Sequence, residues 1–128
     1  MKPFDKFPRR YFEPSEIILR EGGYGDCAYI VERGMVEISR GQGDGRRVLG
    51  TIGPGGIFGE MSLIDHKARV ADATALRQTI CIVIPAEVMD EKLDRTDPFI
   101  KALLRILVRN IRSMVEEEER RGLGRNTS

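Results

Sequence analysis

The chain has few of the residues from which metal sites and disulfide frameworks are built. Its 128 residues include two cysteines, Cys27 and Cys81, one histidine and no tryptophan. Two cysteines this far apart do not make a disulfide framework, and one histidine does not supply a zinc site. We therefore predict no metal, and we interpret both cysteines as reduced thiols that pack as small hydrophobic side chains.

Long apolar segments and an excess of one charge are also missing. The most apolar stretch, residues 79–85, is far too short to span a bilayer, and the start of the chain lacks the apolar core of a secretion signal. With 21 basic and 20 acidic residues the formal net charge is +1, which gives no general attraction to nucleic acid or to an anionic membrane. We expect one cytoplasmic domain over residues 1–128, without a membrane segment.

Glycine is concentrated in the first half of the chain. Twelve of the 14 glycines lie between Gly22 and Gly59, where they separate short apolar runs. Short apolar runs spaced by glycine turns predict a β-sandwich or barrel, here over about residues 11–85. The predicted strands are residues 17–19, 29–31, 35–38, 48–52, 70–75 and 79–84.

The pattern becomes helical after Pro85. Residues 86–93 predict a short helix, and Asp97 followed by Pro98 is a start signal for a second helix over about 98–119. Apolar residues in the second helix repeat at alternating intervals of four and three, which makes a heptad seam of about two repeats. The seam residues are Ile100, Leu104, Leu107, Ile111 and Met114.

Three further apolar residues, Phe99, Leu103 and Ile106, widen this stripe. A helix that only lies on its own barrel shows a wide stripe of period 3.6, and these flanking residues can serve that purpose. We predict that they pack on the barrel while the seam meets a second copy. The expected assembly is a homodimer through residues 98–115.

Residues 58–75 combine a glycine-led turn, one acid in an apolar setting and one arginine. The segment from Gly59 to Leu63 predicts a short helix, whose first N–H groups and partial positive charge suit a phosphate. Arg69 can supply a bidentate fork to the phosphate oxygens. Glu60 would repel a phosphate, so its natural partner is a neighbouring hydroxyl such as a ribose 2′-OH. An acid for the sugar and an arginine for the phosphate together indicate a nucleotide.

The same residues resemble the cyclic nucleotide-binding domains, the family shared by the bacterial catabolite activator, the regulatory subunits of cAMP-dependent kinase and the nucleotide-gated channels. The family's phosphate-binding cassette reads Phe-Gly-Glu, two residues, Leu, an apolar residue, four residues, then Arg, a small residue and Ala. Residues 58–71, here called the cassette, follow this spacing. The resemblance covers roughly residues 12–114. It implies a mainly β fold, a double-stranded β-helix (jelly-roll) barrel followed by C-terminal helices.

The resemblance also implies which residues bind the ligand. Arg69 would hold the cyclic phosphate and Glu60 would accept the ribose 2′-hydroxyl, while backbone N–H groups near Gly59, Ser62 and Val70 complete the cradle. No cofactor besides the nucleotide and no catalytic residue is implied. The predicted ligand-binding residues are Phe58, Gly59, Glu60, Met61, Ser62, Arg69, Val70 and Ala71.

Three positions depart from the commonest form of the cassette. Ala68 stands where many members have proline, which leaves the loop less rigid. Asp72 replaces a neutral residue and would repel phosphate if it faced inward; strand alternation places it on the same face as Val70. Val70 lacks the hydroxyl with which cGMP-preferring relatives reach the guanine. The expected ligand is therefore cAMP, with cGMP less favoured.

The resemblance implies a sensor that signals by closing its C-terminal helix over the bound base. Transcriptional relatives carry a helix-turn-helix after that helix, whereas only nine residues follow Glu119, so we expect no DNA-binding domain in this chain. An alternative is a vestigial pocket in a dimerisation or interaction module, which Asp72 and Val70 would support. A cupin-type enzyme is disfavoured, because that class needs several histidines for metal and no nucleophile has a base partner here.

Overall fold

The computed structural model describes residues 2–127, and it describes side chains for residues 2–117. The predicted domain also includes Met1 and Ser128, which lie outside the described residues. Eight strands and three α-helices occupy the described range, with 3₁₀ turns at Lys2–Phe4 and Gly43–Gly45. The strands are β1 (Arg9–Phe12), β2 (Ile17–Leu19), β3 (Cys27–Arg33), β4 (Val36–Arg40), β5 (Arg47–Ile52), β6 (Ile57–Phe58), β7 (Asp72–Ala75) and β8 (Thr79–Pro85). The helices are α1 (Glu60–Asp65), α2 (Ala86–Asp94) and α3 (Pro98–Thr127).

The strands form two four-stranded sheets, in the orders β1-β8-β3-β6 and β2-β7-β4-β5. All pairings between neighbouring strands are antiparallel, and most join strands that are far apart in the chain. In the first sheet, for example, Arg10 of β1 lies opposite Cys81 of β8. The predicted jelly-roll fold is confirmed.

The main core lies between the two sheets. It takes buried side chains from both, including Tyr29 of β3, Phe58 of β6 and Ala73 of β7. The rings of Tyr29 and Phe58 stack with their centroids 5.3 Å apart. Burial of a stacked aromatic pair adds directional contacts to the transfer of apolar area out of water. This pair fixes the residue from which the cassette begins.

The outer face of the first sheet is covered as well. Ile30 of β3 and Ile82 of β8 pack there against Leu63 of α1. A third cluster joins the three helices through Ile64 of α1, Leu93 of α2 and Val108 of α3. Because α1 belongs to both clusters, the helix that follows the cassette's first residues is held by the sheet and by α3 together.

The prediction that the flanking residues of α3 pack on the barrel is wrong, and so is the assignment of Leu104 to the exposed seam; the other four seam residues are exposed. Leu104, assigned to the exposed seam, packs on the cluster of Val108, whereas Leu103 and Ile106 are 43% and 46% exposed. Phe99, assigned with them to the barrel side, is 72% exposed. Over two heptads the periods 3.5 and 3.6 differ too little to tell which side of a wide stripe faces the barrel.

Most predicted elements are found within a few residues of their positions, with two differences. The predicted strand 70–75 begins only at Asp72, because Arg69 bonds through both its backbone N–H and its carbonyl to the loop of Gly22 and Gly23 instead of to a strand. Helix α3 continues beyond residue 119, its predicted end. Arg120 and Arg121 are good helix formers, but Gly122 and Gly124 are not, so helix propensity does not explain the last part of α3. In the part of the chain that is described, no helix is long and apolar enough to cross a membrane.

Candidate functional site

A cavity of about 270 Å³ lies where the cassette, the second sheet and α3 meet. All eight predicted ligand-binding residues line it: Phe58, Gly59, Glu60, Met61, Ser62, Arg69, Val70 and Ala71. The remaining walls come from β2, β4, β5, β6 and β7 and from two residues of α3. The structure therefore brings the predicted set together, and we call this cavity the cassette pocket.

Arg69 is the charged centre of the cassette pocket. Its side chain is buried, with only 5% of the residue exposed. Nη1 donates to the carbonyl of Gly59 at 2.5 Å, and Nη2 donates to the carbonyl of Cys27 at 2.8 Å. Within residues 2–117 no carboxylate lies within ion-pair distance of it. The guanidinium is thus held by neutral carbonyls and keeps its charge available.

Gly59 is required by the backbone at the entry to α1. Its φ of +80° lies in the left-handed region, where side chains with a Cβ are strained. A Cβ there would also stand 3.0 Å from Nη1 of Arg69 and from a methyl group of Leu19. The glycine therefore makes the turn and lets its carbonyl approach the guanidinium.

Glu60 opens α1 and lines the same cavity. Burial raises the pKa of its carboxyl, although its own backbone N–H and the positive charge of Arg69 act in the opposite direction. The two charged groups line one pocket without forming an ion pair. Glu60 is therefore a partly buried acceptor that is separate from the cation.

Asp72 does not line the cassette pocket. Its Oδ1 accepts a hydrogen bond from the backbone N–H of Glu21 at 2.6 Å. The expectation that Asp72 shares a face with Val70 is wrong. Val70 lies in the loop before β7, so the alternation of side chains along a strand does not apply to it. The repulsion that an inward Asp72 would cause is absent from the geometry.

The chain has relatives in sequence that match this architecture. The family model described as "Cyclic nucleotide-binding domain" matches residues 9–96. This chain belongs to the cyclic nucleotide-binding domain family. It is 33% identical over 113 residues to the CRP-like cAMP-activated global transcriptional regulator of Mycobacterium tuberculosis, an alignment that covers 88% of this chain and 48% of the regulator.

Solved structures of the family superpose on the domain. The cAMP-bound form of the EAL enzyme Bd1971 matches with a TM-score of 0.82 and 32% identity, over 87% of this chain and 30% of that one. Its cGMP-bound form gives a TM-score of 0.79. The catabolite activator protein of Thermus thermophilus gives 0.69 at 32% identity, over 88% of this chain and 54% of that one. The domain spans about half the length of the curated relatives it matches.

Several wall residues of the domain were missed by sequence reasoning. Ile111 and Val115 of α3 line the cassette pocket, as do Leu49 and Thr51 of β5. Ile111 was assigned to the dimer seam only, and Val115 was not singled out. A helical period places residues 108, 111 and 115 on adjacent lines of one face, so the pocket side of α3 can be recognised only once Val108 is known to face the barrel.

Proposed function

We propose that this domain binds a cyclic nucleotide, cAMP in preference to cGMP, and serves as the sensor of a regulator. The observation that carries the proposal is the pairing of Arg69 and Glu60 on the wall of one apolar cavity of about 270 Å³. That size is near the lower end for ligand pockets, which suits a small compact molecule. The proposed role is recognition and signalling, without catalysis.

The phosphate site follows from the state of Arg69. A guanidinium has five N–H donors, and two of them are used to hold the side chain against Gly59 and Cys27. The three remaining donors can bind the two exocyclic oxygens of a cyclic phosphate. A buried charge without a counter-ion is unfavourable, so an anionic ligand would relieve that cost as well as gain hydrogen bonds.

The sugar site follows from Glu60. An ionised carboxylate is an acceptor only, and the ribose 2′-OH of a 3′,5′-cyclic nucleotide is a free donor next to the phosphate ester. Glu60 and Arg69 both line the pocket, so the carboxylate can accept from the 2′-OH while the guanidinium donates to the phosphate. A nucleotide without the 2′-OH would leave the buried acceptor unpaired, which is costly.

The base would lie against the apolar part of the wall. Met61, Ile111 and Val115 contribute to that part, and Val70 offers no hydroxyl to a guanine amino group. This supports cAMP as the preferred ligand. Solved structures of the similar enzyme exist with cAMP and with cGMP, so the architecture itself accepts either base.

The signal would pass through α3. Ile111 and Val115 of this helix are part of the pocket wall, so a base that contacts them binds the closed position of α3 better than any other position. A ligand shifts such an equilibrium only by its difference in affinity for the two states. Closure of α3 over the base is therefore the proposed output.

A second copy is the proposed partner of α3. Its outer side carries seven exposed large apolar residues, which we call the α3 face: Phe99, Ile100, Leu103, Ile106, Leu107, Ile111 and Met114. Large exposed apolar patches mark interaction sites. Ile111 belongs both to this face and to the pocket wall, so a homodimer through α3 would sense the ligand directly.

The alternative function is a dimerisation or interaction module whose pocket no longer binds. The α3 face favours it, because that surface needs a partner whether or not a nucleotide is bound. A domain of this kind would be stabilised by self-association and by nothing added to the pocket.

Calorimetric titration with cAMP and cGMP tests the proposal, with 5′-AMP as the comparison ligand that lacks the cyclic ester. We expect cAMP to bind most tightly and Arg69→Ala to abolish binding. Arg77→Ala removes an exposed arginine from the turn between β7 and β8 and should bind as the wild type does. At a hundred times Kd, cAMP should raise the free energy of unfolding by about 2.7 kcal/mol. No heat and no stabilisation with either cyclic nucleotide would favour the alternative.

A further inference from the structure

A second, larger cleft lies between the cassette loop and α3. Its volume is about 590 Å³. It takes Glu21 and Gly22 from the loop after β2, Arg40 from β4, residues 65 and 67–70 from the cassette and one side of α3. Its lining includes Lys67 of the cassette and Arg105, Arg109 and Arg112 of α3, so we call it the basic cleft.

Two of the cations in the basic cleft are engaged by carboxylates. Arg112 forms an ion pair with Asp65, and Arg40 lies 3.9 Å from Glu21. Lys67, Arg105 and Arg109 have no ion-pair partner among the described side chains. One further carboxylate, that of Glu116, lines the cleft. The cleft therefore keeps a local positive charge, although the chain as a whole is nearly neutral.

The arrangement of these cations follows from the helix. Arg105, Arg109 and Arg112 are spaced by four and three residues, which places them along one side of α3. The rise of an α-helix puts Arg105 and Arg109 about 6 Å apart along the axis. Lys67 reaches the same cleft from the cassette loop. The α3 face lies on the other side of Val108, so the charged and apolar surfaces of α3 are separate.

We propose that the basic cleft binds an oligophosphate, a small molecule with two or three linked phosphate groups. Three cations on two elements match several negative groups better than one, and two arginines a helical turn apart match the length of a linked phosphate chain. Arginine forks bind phosphate oxygens in bidentate fashion. A volume of about 590 Å³ has room for a nucleoside attached to the phosphates.

The basic cleft is distinct from the cassette pocket. The two cavities share Arg69 and Val70, whereas Lys67, Arg105 and Arg109 line the cleft and do not line the pocket. The cyclic phosphate and the oligophosphate would therefore be held by different sets of cations. The proposal does not depend on the proposed function of the pocket.

Titration of the full chain with inorganic tripolyphosphate, at low and at moderate salt, tests the proposal. We expect saturable binding at one site, and we expect Arg105→Ala with Arg109→Ala to weaken it by about tenfold or more. Lys92→Ala with Arg95→Ala is the matched control, because it removes the same charge from exposed positions on α2 and should change the Kd by less than about twofold.

The outcomes separate the two sites. Because Arg69 lines both cavities, the arginines of α3 decide between them. Tripolyphosphate binding that Arg105→Ala with Arg109→Ala weakens supports the cleft, whereas binding that Arg69→Ala abolishes and this double variant leaves unchanged would place the anion in the cassette pocket and overturn the proposal. Equal weakening by the two double variants would show only general charge attraction and would also overturn it. So would a lack of saturable binding, or tighter binding of a hexaglutamate peptide than of tripolyphosphate.

Discussion

Arg112 of α3 and Asp65 at the end of α1 form a largely buried ion pair that joins the terminal helix to the cassette. Nη2 of Arg112 donates to Oδ1 of Asp65 at 2.9 Å, and Nε donates to the other carboxylate oxygen. Nη1 donates to the carbonyl of Ala68 at 3.0 Å. The two side chains are 12% and 15% exposed. The position of α3 is therefore linked to the loop that carries Arg69.

The first prediction concerns the strength of this link. We expect Arg112→Ala to lower the free energy of unfolding by about 1.5 to 3 kcal/mol, because it leaves a poorly hydrated carboxylate without its charged donors. Urea denaturation at neutral pH measures the change. Arg109→Ala is the control on the same helix and should stay within about 0.5 kcal/mol of the wild type. Equal effects of the two variants would contradict a role for the pair.

The same pair predicts a dependence on pH. Burial alone would raise the pKa of Asp65, but hydrogen bonds from Arg112 and from the backbone N–H of Lys67 outweigh it, so the pKa is lowered. A lowered folded-state pKa gives stability that is present above the unfolded-state value and is lost as the pH falls through the folded one. We expect the stability difference between wild type and Arg112→Ala to narrow below about pH 4. Denaturation curves from neutral to acid pH measure it, and a constant difference would refute the assignment.

The parts of the fold that could be predicted from the sequence carry local signals. The predicted bounds of β2 agree with the observed strand, Ile17–Leu19, because polar and glycine residues flank this short apolar run. The start of α3 was placed by Asp97, whose Oδ1 accepts from the N–H of Phe99 at 2.8 Å. The cassette spacing brought Glu60 and Arg69 to one cavity. Each signal lies within a few residues of the feature that it specifies.

The parts that could not be predicted depend on contacts between distant segments. Asp65 and Arg112 are 47 residues apart in the chain, and neither has a neighbour that marks it as half of a pair. Leu104 and Leu103 are adjacent and equally apolar, so only the position of α3 on the helix cluster decides which is buried. The basic cleft likewise depends on how α3 and the cassette loop are placed relative to each other, which no local pattern specifies.

The carboxyl of Glu60 gives a prediction about the affinity for cAMP. Burial raises its pKa, so it protonates at a higher pH than an ordinary glutamate. A protonated carboxyl is a poorer acceptor for the ribose 2′-OH. An exposed glutamate has a pKa of about 4.3. We expect the Kd for cAMP to begin to rise at a pH above that value as the solution is acidified. Titrations across this range should show the effect in wild type and in the surface control Glu87→Gln. Glu60→Gln should bind more weakly at neutral pH and lose this dependence, and an unaltered profile would contradict the sugar role.

Val70 gives a prediction about the choice of base. Val70→Thr keeps the shape of the side chain and adds a hydroxyl on the wall of the cassette pocket. One added hydrogen bond is worth about 1 kcal/mol, so we expect the Kd for cGMP to fall about fivefold while that for cAMP changes little. Val70→Ala enlarges the pocket without adding a hydroxyl and should not favour cGMP. Competition between the two nucleotides measures the ratio, and an equal change for both would reject Val70 as a determinant.

The α3 face gives a prediction about assembly. Leu107 and Met114 lie one heptad, about two helical turns, apart on it and are 49% and 67% exposed. We expect Leu107→Glu to convert a dimer to a monomer, because it would bury a charge against apolar side chains of the second copy. Gln42→Glu adds the same charge to an exposed position in the loop between β4 and β5, outside α3, and should leave the dimer intact. Sedimentation measures the masses.

Since Ile111 belongs to both surfaces, cAMP should also change the dimer's dissociation constant, and by linkage the dimer should change the affinity for cAMP by the same factor. A wild-type chain that stays monomeric at every concentration, with and without cAMP, would rule out a second copy as the occupant of this face.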